Sequence, residues 1–105
     1  MNVQPFSPCQ ATTESIVPLA TAASITWKAP ALNYNCVRIV NKSTVDIAIN
    51  FGGTAVLPTP GVSGDAIIAI GATEVFSKPP GVATISVIGT GVGTGNVYFT
   101  AGEGQ

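Results

Sequence analysis

Residues 88–105, IGTGVGTGNVYFTAGEGQ, place Gly89, Gly91, Gly93 and Gly95 at every second position ahead of a short apolar run. Such a series is either a phosphate cradle or a connection between strands. A P-loop needs a Lys after its last glycine, and none follows here. The dinucleotide fingerprint fails as well, because its third glycine would fall on Thr94 or on Asn96. Beyond the glycines, NVYFTA continues as a strand and opens no helix whose N-terminal amides face a phosphate. The run is therefore read as the connection of a closing hairpin, joining Val82–Ile88 to the last strand, with glycines supplying positive φ or close backbone approach.

The same reading extends upstream. Proline and glycine cut the chain so often that no segment long enough for an ordinary helix survives. Between the breaks lie short pieces rich in Val, Ile, Thr and aromatics: Ala22 to Lys28, Asn35 to Asn41, Val45 to Phe51, Ala66 to Ile70, Thr73 to Lys78, Val82 to Ile88 and Asn96 to Ala101. ESIVPLA is an eighth, weaker candidate, reduced by Pro18 to an edge strand or coil. Strict alternation puts Val45, Ile47, Ile49 and Phe51 on one face. Val37 and Ile39 do the same upstream, so 35–41 and 45–51 are expected to form a hairpin, with Cys36, Arg38 and Val40 facing outward. The Asn-Lys-Ser triplet at 41–43 matches a glycosylation acceptor and is read as turn chemistry. The expected fold is all-β: one β-sandwich or jelly-roll-like domain of seven or eight short antiparallel strands over residues 13–101, with an extended N-terminal arm (1–12) and a flexible C-terminal tail (102–105).

The chain of 105 residues carries Lys+Arg 4, Asp+Glu 5, no histidine and a net charge of -1. That provides no basic field for nucleic acid or anionic lipid. Charged residues amount to 9%, against about 25% in ordinary soluble domains. So neutral a surface is expected to be covered by neighbouring subunits in an assembly. The opening MNVQPFSPCQATTE has no Lys, Arg or apolar core, so no secretory leader is expected, and no stretch approaches the roughly 18 apolar residues of a membrane helix. Cys9 and Cys36 are expected as free thiols of a cytoplasmically made protein.

Catalytic chemistry finds little footing. Without histidine there is no Ser-His-Asp or Cys-His arrangement. The carboxylates Glu14, Asp46, Asp65, Glu74 and Glu103 are scattered, and Asp65 is expected to bond nearby backbone amides. No enzyme activity, metal or cofactor is expected. The candidate interface residues are Pro5, Phe6 and Pro8 in the arm, with Trp27, Tyr34 and Tyr98 as large amphipathic anchors.

Two stretches, CVRIVNKSTVDIAINFGG (36–53) and TEVFSKPPGVATISVIGTGVGTGNVYFTAGEGQ (73–105), resemble a type of small virion protein of tailed bacteriophages. In those chains a VRIVN strand leads to a strand ending Phe-Gly, a Glu-Val-Phe strand precedes a proline-glycine turn, and a glycine-rich connection closes on an aromatic strand and a Gly-Glu-Gly tail. The resemblance covers about residues 35 to 105 and brings no catalytic residues. It implies a head decoration or cement protein, located on the virion and assembled in a bacterial cytoplasm. Its partner would be the major capsid protein or another virion subunit, with a dimeric or trimeric homo-oligomer and strand edges that add to neighbours' sheets. The alternative is a receptor- or glycan-binding module of a tail or head fibre, built around Trp27 or Tyr34.

Overall fold

Alternating side chains with one apolar face must pair that face with another, and this chain does so by stacking two antiparallel sheets. The computed structural model describes residues 6–8, 12–27, 34–79 and 81–104; Pro5, Cys9, Lys28, Pro30 and Pro80 lie outside them. The strands are β1 (Ser7–Pro8), β2 (Glu14–Ile16), β3 (Ala23–Thr26), β4 (Cys36–Asn41), β5 (Ile47–Phe51), β6 (Ile67–Ile68), β7 (Thr73–Ser77), β8 (Thr84–Gly89) and β9 (Val97–Glu103), with no helix among the described residues. One sheet has the order β1-β9-β4-β7, with β2 also on β9; the other has the order β3-β8-β5-β6. β1 pairs with Gly102 and Glu103, and β2 with Val97 to Phe99, so the two lie end to end along one edge of β9. The sandwich thus has four ranks per sheet.

The inner rows follow from the register. In the first sheet Phe76, Val37 and Ala101 stand side by side, and below them Ile39 and Phe99 are flanked by Glu74 and Glu14 at the two edges. In the second, Ile25, Ile85 and Phe51 form one row and Val87 with Ile49 the next. The aliphatic side chains of these rows and Phe99 belong to a single buried cluster, with Phe51 and Phe76 half-buried against it. Each fully buried Val, Ile or Phe contributes about 1.5–3 kcal/mol, so apolar burial supplies the stability.

Consecutive strands do not pair as the sequence leads one to expect. β4 hydrogen-bonds to β7 and β9, and β5 to β6 and β8, so 35–41 and 45–51 are in different sheets and form no hairpin. The glycine run likewise joins β8 of one sheet to β9 of the other. Both connections are arches across the core. The expected C-terminal tail is also shorter, because Gly102 and Glu103 extend β9, and Gly104 is buried, its carbonyl accepting from Cys36 Sγ at 3.2 Å.

The arch at 42–46 is fixed by Asn41. Its Nδ2 donates to Val45 O at 3.0 Å and Ile68 O at 3.2 Å, while Oδ1 accepts from Ser43 N at 3.0 Å and Ser43 Oγ at 2.6 Å. All four bonding positions of the carboxamide are filled within a fully buried site. The Asn-Lys-Ser triplet is thus a turn device whose Asn nitrogen is out of reach of glycan transfer.

Three of the four glycines in the second arch are there for space. A Cβ on Gly95 would lie 2.6 Å from Lys42 O, at a φ of +79°. One on Gly93 would meet Pro18 Cγ at 2.9 Å, and one on Gly89 would meet Gly91 O at 2.8 Å, whereas Gly91 has nothing within 4 Å.

Two outcomes are expected in chemical denaturation. Gly91→Ala leaves stability within about 0.5 kcal/mol of the parent, while Gly95→Ala lowers it by about 2 kcal/mol or more. Asn41→Ala removes the partners of buried groups in the arch and of Ile68 O in the second sheet and costs about 3 kcal/mol; a loss below about 1 kcal/mol would show that the arch closes without the carboxamide.

Candidate functional site

The outer face of the first sheet carries three of the six expected contact residues. By the β4–β9 register Cys36, Arg38 and Val40 face outward beside Gly102, Thr100 and Tyr98. The Arg38 guanidinium carbon sits 5.4 Å from the centroid of the Phe6 ring, an arrangement worth about 0.5–1 kcal/mol when partly exposed. Arg38 Nε is buried with no hydrogen-bond partner among the described residues. Thr13 and Thr100 hydroxyls are 2.7 Å apart, and Thr12 Oγ1 donates to Ala101 O at 3.1 Å. The described part of the N-terminal segment therefore lies along its own β9, with Pro8 opposite Gly102, and does not project from the domain.

Phe6, Pro8 and Tyr98 are thus on one sheet, Pro8 exposed and the other two half-buried. Trp27 is elsewhere: it is 2% exposed and belongs to the intersheet core, so it does not offer its ring to a neighbour as expected. The cause is its place at the end of β3, where Trp27 N donates to Ala83 O at 2.8 Å and holds the chain against β8. Tyr34 is half-buried against the same core. Pro5 lies outside the described residues.

The carboxylates stay apart. Asp46 Oδ1 accepts from Ile70 N at 2.9 Å, and Asp65 accepts from Val56 N at 2.8 Å and Asn50 Nδ2 at 3.1 Å. Asp65 thereby pins the 52–66 loop, whose Ala55 N donates to buried Ser86 Oγ on the outside of the second sheet. Among the described residues no three metal-ligating side chains come together. A cleft of about 350 Å³ opens where β5 faces β7, lined by Ile49, Asn50, Phe51, Asp65, Ala66 and Phe76. Its Phe51 and Phe76 rings are 6.4 Å apart and tilted by 58°.

A second surface escaped sequence reasoning. The arches 17–22, 42–46 and 90–96 and the connection 69–72 all emerge at one end of the sandwich. They are tied together: Gly89 N donates to Leu19 O, Gly93 N to Pro18 O, Thr90 N to Asp46 O and Thr94 N to Thr44 Oγ1. Val17, Leu19, Ile70 and Val92 stand out from this end with 43 to 74% of their surface exposed. Four apolar side chains from three of these connections make a patch of the kind that marks an interaction site. Their sequence signal was an apolar residue within turn-forming surroundings, as in GTGVGTG, but nothing in the sequence said that the four converge.

Comparison of the chain with protein-family models, with curated proteins and with solved structures found no match.

Cys36 provides a titration check. Burial pushes its thiol above the ordinary value of 9.0. The folded chain therefore keeps this proton after the unfolded chain has lost it, and the thiol's contribution to stability, complete below pH 9, declines as pH rises further. Lys78 acts in the opposite sense, since burial lowers its ammonium below 10.5. In a Cys9→Ser background, Cys36→Ala is expected to lessen the alkaline loss of stability above pH 9, measured by denaturant midpoints across pH; an unchanged pH profile would assign that loss to other groups.

Proposed function

We propose that this chain is a structural virion protein of the capsid-decoration, or cement, type, which binds between subunits of an assembled shell and has no catalytic role. The observation that carries the reading is the apolar end formed by Val17, Leu19, Ile70 and Val92 on a domain whose whole sequence is only 9% charged. Such an end is suited to burial against protein, and the scarcity of charge removes the usual cost of desolvating what surrounds it. Counting β1 and β2 as one rank, the ranks run 1-8-3-6 in one sheet and 2-7-4-5 in the other. We read this winding as a jelly roll, an architecture shared by viral capsid and lectin domains. Fold alone does not assign function, and here it supports the assignment without carrying it. The resemblance of residues 35–105 to small phage virion proteins points the same way.

The proposed mechanism is linkage. A protein that binds the assembled shell better than separated subunits stabilises the shell by the free energy of that difference. The partner is the major capsid protein or another virion subunit, and the chain acts as a symmetric homo-oligomer, which multiplies contacts without new chemistry.

A second reading, a receptor- or glycan-binding module, draws support from the Phe51–Phe76 cleft, where two rings lie beside the Asn50 and Asp65 side chains. Its centre is that cleft in place of Trp27, which is buried.

The deciding experiment is to purify particles containing the chain, strip it and measure heat and osmotic survival of the shell. The cement reading expects many copies per particle and reduced survival after stripping, restored by adding back the protein but not by Leu19→Asp or Val92→Asp variants that remain folded. Unchanged survival, or only a few copies per particle, would sink it. Binding of the isolated protein to cells, abolished by Phe51→Ala, would establish the second reading.

A further inference from the structure

We propose that β7 is a self-pairing edge: two copies of the chain join their first sheets through antiparallel β7 strands, related by a two-fold axis at Val75. Hydrogen-bond parity fixes which backbone groups of β7 face outward. Lys78 N donates to Asn35 O at 2.7 Å and Asn41 N donates to Ala72 O at 2.9 Å, so the even-numbered residues at both ends of β7 turn their backbone toward β4. Backbone direction alternates along a strand, which aims the N–H and C=O groups of Thr73, Val75 and Ser77 away from β4. β7 is the last strand of its sheet, and no described residue lies beyond it in the ladder. This edge has no proline, lysine or bulge within its five residues; the one guarding feature within it is the charge of Glu74 in the inner row, which a self-pairing register must keep away from a like charge.

The occupant that fits is a second copy, and the side chains select one register. With the axis at Val75, Thr73 faces Ser77 of the second copy, Val75 faces Val75, and Ser77 faces Thr73. Every outward backbone group then has a partner, because antiparallel residues of this parity exchange both of their hydrogen bonds. Glu74, the one charged side chain on the strand, falls opposite Phe76 of the second copy. Moving the axis to Glu74 sets two carboxylates face to face and leaves Ser77 unpaired in the strand. Moving it to Phe76 brings Thr73 opposite Pro79, which has no N–H to give. The Val75 axis thus satisfies the edge and avoids like charges, and it makes one continuous sheet of the two outer faces that carry Arg38 and Tyr98.

The pairing gives a concrete interface to the symmetric oligomer proposed above, but it needs no shell and is tested on the isolated full chain. Sedimentation equilibrium from micromolar concentration upward is expected to show the mass rise from 10.6 kDa to twice that value. Val75→Pro deletes the central donor at a position where its φ and missing N–H are tolerated in a free edge, and raises the dissociation constant at least about tenfold. Val75→Thr, which keeps the amide and the branched shape, dimerises like the parent. Should Val75→Pro fail to fold by circular dichroism, contacts in an equal mixture of isotopically labelled and unlabelled parent chain decide the matter: intermolecular signals between Thr73 and Ser77 support the pairing. A chain that stays monomeric, a dimer without those signals, or a folded Val75→Pro that still dimerises with parental affinity overturns it. A monomer that nonetheless decorates shells would overturn this interface while leaving the cement reading intact.

Discussion

The carboxamide of Asn41 occupies the point where the chain leaves β4 of one sheet for β5 of the other. It extends inward from the end of β4, bonds to the first residues of the arch and reaches the carbonyl of Ile68 in the opposite sheet. The backbone at the same residue bonds to two adjacent residues of the 69–72 connection, Asn41 N to Ala72 O and Gly71 N to Asn41 O. Apolar burial is indifferent to which strand lies beside which, because it depends on area and not on direction. Hydrogen bonds of a saturated buried amide are directional, and any other placement of these segments leaves several of them unmade. Asn41 therefore contributes modestly to the total free energy and heavily to the choice among alternatives.

Strand positions, and the face each presents, were legible in the chain. Period-two alternation in VDIAINF and CVRIVN reports that Ile47, Ile49, Val37 and Ile39 are inside, and the structure places them there. What alternation does not report is the partner. A strand followed by a short polar connection and another strand reads as a hairpin, yet an arch that carries the second strand to the facing sheet satisfies the same pattern. The difference lies in the direction of the connection, set here by the inward side chain of Asn41 and by the glycines that let 89–95 pass close over Pro18 and Val45. Neither signal stands out until the three-dimensional neighbours are known.

The contact residues divide in a similar way. Phe6, expected in the arm, and Tyr98, expected as an amphipathic anchor, are both half-buried on the first sheet, while Trp27 was misplaced because its strand-end location, next to charged and proline residues, resembles an exposed boundary. The apolar end was missed for a topological reason: Val17, Leu19, Ile70 and Val92 span 76 positions of sequence, from 17 to 92, and only the winding brings their connections together. The scarcity of charge was the one global clue that such a surface would exist.

β9 lies between the earliest strands and the middle of the chain, bonded to β1 and β2 on one edge and to β4 on the other. During synthesis, then, β1 and β2 emerge first and have no ladder to join until residues 97–103 have been made. The intervening strands can collapse, but their first sheet lacks its centre, and long-range pairing of this type is slow to form. The nascent chain thus passes through an interval in which β4 has an open edge and the N-terminal segment is unattached, a state prone to associate with other chains. Folding of this protein is consequently tied to completion of β9, and its yield in a cell depends on how quickly that last strand enters the gap the others have left for it.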